Sequence, residues 1–128
     1  VQRDSLTSGE AEQCAQQLAR EHEMVVVLKG HHTLITDGAA MVRNSTGNPG
    51  MATGGSGDVL TGVITALLCQ GLSALDAARL GVHVHGLAGD LAAQQLGQVS
   101  LVARDLIDYL PAAFQQLVPT PTDTSGTL

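Results

Sequence analysis

Aromatic and basic residues are scarce in this sequence, and their scarcity narrows the possible classes of partner. The 128 residues include one Tyr, one Phe and no Trp, and Lys29 is the single lysine. The formal net charge is −6. A protein that binds a nucleic-acid backbone needs a basic surface, and one that binds single-stranded bases uses aromatic platforms. We therefore expect neither DNA nor RNA to be a partner.

Long apolar runs, a charged leader and paired cysteines are also absent from the sequence. No run approaches the roughly 18 apolar residues of a membrane span, so neither a membrane anchor nor a signal peptide is expected. Cys14 and Cys69 lack CxxC spacing and fall on the apolar faces of predicted helices. They are interpreted as small core residues of a cytoplasmic protein in a reducing compartment.

The most prominent feature is a glycine-rich stretch at residues 48–62, which contains five glycines. It passes directly into apolar residues spaced for one face of a helix. Glycine allows positive φ and close approach of a ligand, and the first amides of a helix are unpaired. Such a loop binds anions, usually phosphate. Asp58 falls in the first helical turn, where the helix dipole favours a carboxylate.

Three other interpretations of this stretch compete with phosphate binding. A Walker loop is excluded because no Lys-Ser or Lys-Thr follows the glycines, and a dinucleotide fingerprint is excluded because Leu60 occupies the place of its third small residue. A tight strand-to-helix turn, with Asp58 capping the helix, remains an alternative. A simple turn needs only one or two glycines, however.

Along the rest of the chain, apolar periodicity predicts helices around a small sheet. Thr7 and Glu10 have the spacing of a capping box. Residues 24–28 form a continuous β-branched and apolar run, interpreted as the central strand of a parallel sheet. An Asp-Gly pair joins two further strands in a hairpin. The predicted elements are a helix at 8–23, strands at 24–28, 33–38 and 40–43, and helices from the glycine loop to residue 70, at 74–95 and at 102–118.

Each predicted helix carries an expected inward face. The long helix is also rich in alanine and glycine, which a helix tolerates best where another backbone packs close. Pro111 is expected to kink or restart the last helix, because it lacks a donor. The expected inward residues are Ala11, Cys14, Ala15, Leu18 and His22 in the first helix, Leu80, Val84, Leu87 and Leu91 in the long helix, and Leu106, Leu110, Phe114 and Leu117 in the last.

Lys29 and the histidines are the remaining polar candidates. Lys29 follows the predicted strand at its carboxyl end, where open α/β sheets place ligands, so it could contact a phosphate or simply extend into solvent. His83 and His85 are roughly 200° apart on a helix, so they cannot chelate one metal as an i, i+4 pair would. His31-His32 is a loop dipeptide. No protein metal site is expected.

Three patterns in the chain are similar to those of the ADP/ATP-dependent NAD(P)H-hydrate dehydratases. They are Lys29-Gly30-x-x-Thr33-x-Ile35-x-Asp37-Gly38, Thr46-Gly47-Asn48-x-Gly50-Met51-Ala52-Thr53-Gly54-Gly55-Ser56-Gly57-Asp58, and His85-Gly86-x-Ala88-Gly89-Asp90. The resemblance implies the ribokinase-like superfamily and an α/β, three-layer αβα fold. Residues 1–118 would be the carboxyl-terminal half of that fold, and residues 119–128, rich in Pro, Thr and Ser, a disordered tail.

The resemblance also implies a repair reaction and the residues that perform it. Hydrated NADH or NADPH would be dehydrated at the expense of ADP or ATP, with Mg²⁺ carried by the nucleotide. Asp58 would contact the substrate and act as the catalytic base, and the amides of Gly55, Ser56 and Gly57 would form an anion hole. The residues matching the nucleotide-binding segments are Lys29, Gly30, Thr33, Thr46, Gly47, Asn48, Gly50 and Gly57.

The sequence departs from the family in two places. His31 and His32 stand where relatives more often have small residues after Lys-Gly. The amino-terminal half of the family domain, with its Pro-His-x-Gly-Glu segment near the substrate, does not occur in the chain. A central strand left as an open edge is prone to pairing or aggregation, so the chain is expected to fold either with the absent half or as a homo-oligomer that covers the edge. The chain by itself is expected to have little or no activity.

Two other functions remain open on the residues alone. A kinase of the same superfamily, acting on a vitamin precursor or a sugar, would use the same aspartate and anion hole but release a stable phosphoester. A nucleotide-binding module without catalysis would bind ADP or ATP and have no turnover. Product analysis and replacement of Asp58 distinguish these functions from the lyase.

Overall fold

The computed structural model describes residues 7–118, and the order of its elements follows the order predicted from the sequence. Predicted and observed helix bounds differ by only one or two residues. The predicted tail at 119–128 lies outside the described residues. The elements are α1 (Ser8–His22), β1 (Val26–Leu28), β2 (Leu34–Thr36), β3 (Met41–Arg43), a 3₁₀ turn (Pro49–Met51), α2 (Ser56–Cys69), α3 (Ala74–Leu96) and α4 (Ala103–Leu117).

Short-range polar contacts determine where helices α1 and α3 begin. At α1 the Thr7 hydroxyl accepts a hydrogen bond from the Glu10 amide, and the Glu10 carboxylate accepts one from the Thr7 amide. These bonds lower the pKa of Glu10. Ser73 caps α3 by accepting from the Asp76 amide at 3.2 Å. Gly71, with φ of 101°, turns the chain between α2 and α3. The predicted caps are thus confirmed.

The three strands form one antiparallel sheet in the order β1-β2-β3. The hairpin of β2 and β3 is confirmed, and its turn is held by Asp37, whose carboxylate accepts from the amides of Ala39 and Ala40. Within residues 7–118, however, β1 is an edge strand that pairs only with β2. The interpretation of β1 as the central strand of a parallel sheet is therefore wrong for this part of the chain. An apolar run indicates burial but does not identify the neighbouring strand.

Helix α3 makes the most extensive packing contacts, mainly with α4 and α2. Val84 and Ala88 of α3 are buried against Ala113 of α4. A side chain on Gly81 would lie 2.6 Å from Ile64 Cγ1 of α2, so this crossing needs a glycine. The expected close packing of the small residues is confirmed, because all six are buried. They are Ala77, Ala78, Gly81, Gly86, Ala88 and Gly89.

Several predicted inward residues are exposed in the described chain. Cys14 and Cys69 are both exposed, so their interpretation as core residues is wrong. In α1 the buried positions are Ala15 and Ala19, which form a narrow stripe that leaves Leu18 48% exposed.

Helix α4 agrees only partly with its prediction. Of the two effects expected of Pro111, the restart does not occur, because α4 continues through Pro111 as one helix. Leu106 and Ala113 are buried, and Phe114 is packed against the core. Leu117 is 40% exposed, contrary to the expected inward orientation, because it is the last residue of the helix and lies beyond these core contacts.

Candidate functional site

The glycine loop opens helix α2, as the sequence predicts. Gly55 occupies the N-cap position with φ of 90°, and no side chain caps the helix. A Cβ at Gly55 would also lie 3.1 Å from Cβ of Ala103. The loop therefore requires glycine at position 55, and the first amides of α2 have no capping side chain. An uncapped helix start with this geometry is able to accept an anion.

Asp58 lies in the first turn of α2 and is exposed. It does not cap the helix, because Gly55 holds the cap position and no side-chain cap bond is formed. The capping role that the simple-turn alternative gave to Asp58 is therefore wrong. The carboxylate instead stands beside the first amides of α2 and is accessible to a small molecule.

Lys29 is brought to the same helix start. It directly follows β1, and its Nζ lies 3.8 Å from the position that a Cβ on Gly57 would occupy. The only lysine of the chain is thus beside the glycine loop, although its side chain is exposed. A cation, a positive helix end and a carboxylate converge within one region. This arrangement favours the phosphate interpretation of Lys29.

His85 also belongs to this site, although its position in the sequence does not predict a contact with the glycine loop. It lies on α3 with only 5% exposure, and its Nε2 is 3.1 Å from the carbonyl oxygen of Ser56 and 3.4 Å from Ser56 Oγ. Burial, which outweighs the hydrogen bond to Ser56, lowers its pKa, and the nearby Lys29 charge acts in the same direction. Its helical spacing from His83 excluded a shared metal but did not indicate a contact with α2.

The loop between β3 and the 3₁₀ turn is held by Asp90 of α3. One carboxylate oxygen accepts from the Gly47 amide at 2.9 Å, and the other accepts from Asn48 Nδ2 at 2.9 Å. Thr46 Oγ1 donates to the carbonyl of His83 at 3.0 Å. Asp90 was part of the matched pattern, but its function as an anchor was not predicted, because the pairing spans over forty residues.

The predicted nucleotide-binding residues of this loop are largely engaged with the protein itself. Asn48 Oδ1 accepts from the Gly50 amide at 3.0 Å. A side chain on Gly50 would lie 2.5 Å from the carbonyl oxygen of Gln98, and one on Gly86 would overlap Thr46 Oγ1. These contacts fix the path of the loop against α3. The polar groups that anchor the loop are therefore already bound to the protein, and a ligand would contact the outward surface of the loop instead.

Gly30 and Thr33 lie at the two ends of a short loop and contact each other across it. The Gly30 amide donates to Thr33 Oγ1 at 3.4 Å, and Thr33 Oγ1 is 3.3 Å from the Gly30 carbonyl. This short loop carries His31 and His32, both exposed, with His32 at φ of 60°. The histidine pair therefore extends the loop into solvent next to Lys29.

A family model described as NAD(P)H-hydrate dehydratase matches residues 3–112 of the chain. The chain belongs to this family. The bifunctional NAD(P)H-hydrate repair enzyme Nnr of Moorella thermoacetica is 52% identical over 105 residues. The ADP-dependent (S)-NAD(P)H-hydrate dehydratase of Cenarchaeum symbiosum is 37% identical over 100 residues.

A solved structure of the family has the same fold over most of the chain. The ADP/ATP-dependent NAD(P)H-hydrate dehydratase of Bacillus subtilis, co-crystallised with ATP/Mg²⁺ and soaked with CoA, superposes with a TM-score of 0.80 at 32% identity. The match covers 86% of this chain and 41% of the solved one. It confirms the predicted fold class, a part of a dehydratase α/β domain.

The chain is much shorter than these dehydratase relatives. It spans about a fifth of the Moorella enzyme, where the match covers 80% of the chain and 20% of the relative. For the Cenarchaeum enzyme the corresponding shares are 78% and 34%. Residues 7–118 therefore correspond to only part of the length of these relatives.

Two grooves in the described residues lie away from the glycine loop. One, of about 490 Å³, is lined by α1 and the β2–β3 turn, and another, of about 570 Å³, by the hairpin and α3. Within the described residues no group of three or more His, Cys, Asp or Glu side chains could hold a metal ion. None of the helices in residues 7–118 is long and apolar enough to span a membrane.

Proposed function

We propose that the protein carrying this chain dehydrates hydrated NADH or NADPH at the expense of ADP or ATP. The observation that supports this function most directly is the convergence of Lys29 and Asp58 on the uncapped start of α2. Phosphoryl transfer depends mainly on positioning and on electrostatic stabilisation of the transferred group. The convergence provides a cation and backbone donors for that group, and a carboxylate beside it.

The anion hole of this proposal consists of the amides of Gly55, Ser56 and Gly57. The Ser56 amide donates to the Thr53 carbonyl at 3.2 Å, so it would have to exchange that bond for one to the phosphoryl group. Donors that are already oriented toward a developing charge stabilise it without reorganisation during the reaction. Lys29 adds a positive charge on the same side of the loop. The transferred phosphoryl group would thus be held between the helix start and the ammonium group.

Asp58 is the proposed catalytic base. Its carboxylate takes the proton of the substrate hydroxyl as the hydroxyl oxygen attacks the terminal phosphorus, and the bond from that phosphorus to the nucleotide's bridging oxygen breaks. AMP leaves when ADP is the donor, and ADP leaves when ATP is the donor. The new phosphate ester then loses phosphate: the C–O bond breaks, a neighbouring carbon releases a proton, and the ring double bond is restored.

The nucleotide would lie across the loops that precede α2. The proposed contacts are with Lys29, Gly30, Thr33, Thr46, Gly47, Asn48, Gly50 and Gly57. Several of their polar groups are already bound internally, so these residues would act mainly through the shape of the loops and the remaining backbone groups. A Mg²⁺ ion bound to ADP or ATP would be held chiefly by the nucleotide phosphates, with few protein ligands. Such an ion would neutralise phosphate charge.

Assembly and location complete the proposal. The edge of β1 is unpaired within residues 7–118, and an unpaired edge is a surface for another chain, so we include a homo-oligomer. A cytoplasmic location is included because the substrates are cofactors of central metabolism. Neither nucleic acid nor membrane is included among the partners.

Replacement of Asp58 tests the proposed chemistry. In the complete protein, Asp58→Asn should lower turnover by at least about 100-fold, the usual contribution of a general base. Nucleotide affinity should remain nearly unchanged. Asp76→Asn is the matched control, because Asp76 occupies the first turn of the neighbouring helix α3. Equal turnover by the Asp58→Asn variant and the control would overturn the assigned role.

A further inference from the structure

His85 is a buried titratable side chain whose contact is with the backbone of the glycine loop. It is 5% exposed, and its Nε2 lies 3.1 Å from the carbonyl oxygen of Ser56. Ser56 is itself 3% exposed and is the first residue of α2. The imidazole of α3 therefore contacts the loop from the protein interior, on the side opposite to solvent.

The carbonyl that His85 contacts belongs to the same peptide unit as the Gly57 amide. A trans peptide is planar, and its C=O and N–H groups point in opposite directions. A hydrogen bond that fixes the Ser56 carbonyl therefore also fixes the direction of the Gly57 N–H. Lys29 Nζ lies 3.8 Å from the position that a Cβ on Gly57 would occupy. The fixed amide is thus one of the proposed anion-hole donors.

The chemistry of the contact determines the tautomer of His85. A carbonyl oxygen only accepts hydrogen bonds, so the proton must be on Nε2. Ser56 Oγ, at 3.4 Å from the same nitrogen, is a weaker second neighbour. Burial lowers the pKa of His85, and the Lys29 charge contributes, so the ring is neutral and Nδ1 has no proton.

We propose that His85 is a positioning residue of the anion hole: its Nε2–H holds the Ser56 carbonyl so that the Gly57 amide points at the transferred phosphoryl group. The inference depends on the proposed function, because it assigns His85 to the same site. It goes further because it assigns the orientation of one anion-hole amide to a residue of α3. His85 does not touch the substrate and acts only through the peptide that it holds.

Two substitutions separate positioning from simple core packing. His85→Leu fills the space without a donor, whereas the amide nitrogen of His85→Gln can replace Nε2 as the donor to Ser56. Hydrogen-bond partners that orient metal ligands typically contribute about 10- to 100-fold to metal affinity or activity, and we take that range as the guide for His85. We expect kcat of the leucine variant to be about 10- to 100-fold lower, after correction for the fraction of protein that is folded. Its KM for the nucleotide should change by less than about threefold. The glutamine variant should recover most of kcat.

The outcomes distinguish the inference from the proposed function. If the wild-type protein has no dehydratase turnover, the proposed function is wrong, and this inference fails with it. If the wild type is active and the leucine variant retains its kcat, or the glutamine variant is as impaired as leucine, His85 does not position the loop. If His85→Leu lowered nucleotide affinity as much as kcat, the effect of His85 would not be confined to the transferred phosphoryl group, and the inference would be wrong.

A spectroscopic measurement keeps the inference testable if the leucine variant fails to fold. Nitrogen-15 NMR of the wild-type imidazole reports which ring nitrogen carries the proton. We expect the proton to be on Nε2. We also expect the Gly57 amide resonance to move little in the glutamine variant. A proton on Nδ1 would overturn the inference, because Nε2 could then not donate to Ser56.

Discussion

Lys29 and Asp58 are the two side chains that give the glycine loop its chemical character. They have opposite charges and come from different elements, since Lys29 follows β1 and Asp58 lies in α2. The sequence places each at the end or start of an element but does not bring them together. The cation is important in a chain whose formal net charge is −6, because an acidic surface repels a nucleotide.

Removal of the Lys29 charge should weaken nucleotide binding. A hydrogen bond to a charged group contributes about 1.5–3 kcal/mol, and 1.4 kcal/mol corresponds to tenfold in affinity. We therefore expect Lys29→Met to raise the Kd for ADP or ATP by about tenfold or more, measured by titration calorimetry. Lys29→Arg, which keeps the charge, should retain most of the affinity. Unchanged affinity in the methionine variant would show that Lys29 does not contact the phosphates.

The lowered pKa of His85 predicts a pH dependence of stability. The unfolded chain takes up a proton near pH 6.5, whereas buried His85 resists protonation. The contribution of neutral His85 is therefore complete above about pH 6.5 and is lost as pH falls toward the folded-state pKa. The free energy of unfolding of wild type should decrease more than that of His85→Gln between about pH 8 and pH 5. Parallel curves for the two proteins would contradict this prediction.

Among the elements, the start of α2 depends on backbone conformation at a single residue. Gly55 has φ of 90°, which costs other residues about 1–2 kcal/mol, and a Cβ there would approach Ala103. Gly62 lies within the same helix, and apart from the neighbouring backbone of that helix no atom lies within 4 Å of its Cβ position. The two glycines therefore form a matched pair on one element.

Alanine at these two positions should change stability in opposite directions. Gly55→Ala should lower the free energy of unfolding by about 1 kcal/mol or more, whereas Gly62→Ala should raise it by about 0.8–1 kcal/mol through helix propensity. Urea unfolding of the two variants and the wild type measures both effects. A stabilising Gly55→Ala would mean that the positive φ is not required.

The helices were predictable because their signals are local. The capping box at Thr7, the cap at Ser73 and the glycine at position 71 are short-range patterns, and all three lie where the structure begins or ends a helix. The buried face of each helix was harder to predict, because burial depends on contacts with elements that are distant in the sequence. Leu18 and Leu117 satisfy the helical period but face away from the described core.

At the scale of the whole molecule, the sequence predicted the class of fold but not the arrangement of the sheet. The apolar residues of β1 indicate burial, yet within residues 7–118 β1 has a partner on one side only. Strand order depends on long-range pairing that periodicity does not encode. The site was likewise predictable only where its residues are close in sequence, as Asp58 and the glycine loop are. His85 and Asp90 contact these loops only because the fold brings α3 against them.

The measurement that tests the central claim most directly is the product balance of the complete protein. It would be incubated with hydrated NADH or NADPH, Mg²⁺ and ADP or ATP, and free phosphate and reduced nicotinamide would be measured together. We predict that one phosphate is released for each reduced nicotinamide restored, with AMP or ADP formed in the same amount. Accumulation of a stable phosphorylated product, or nucleotide binding without turnover, would contradict the proposed dehydration.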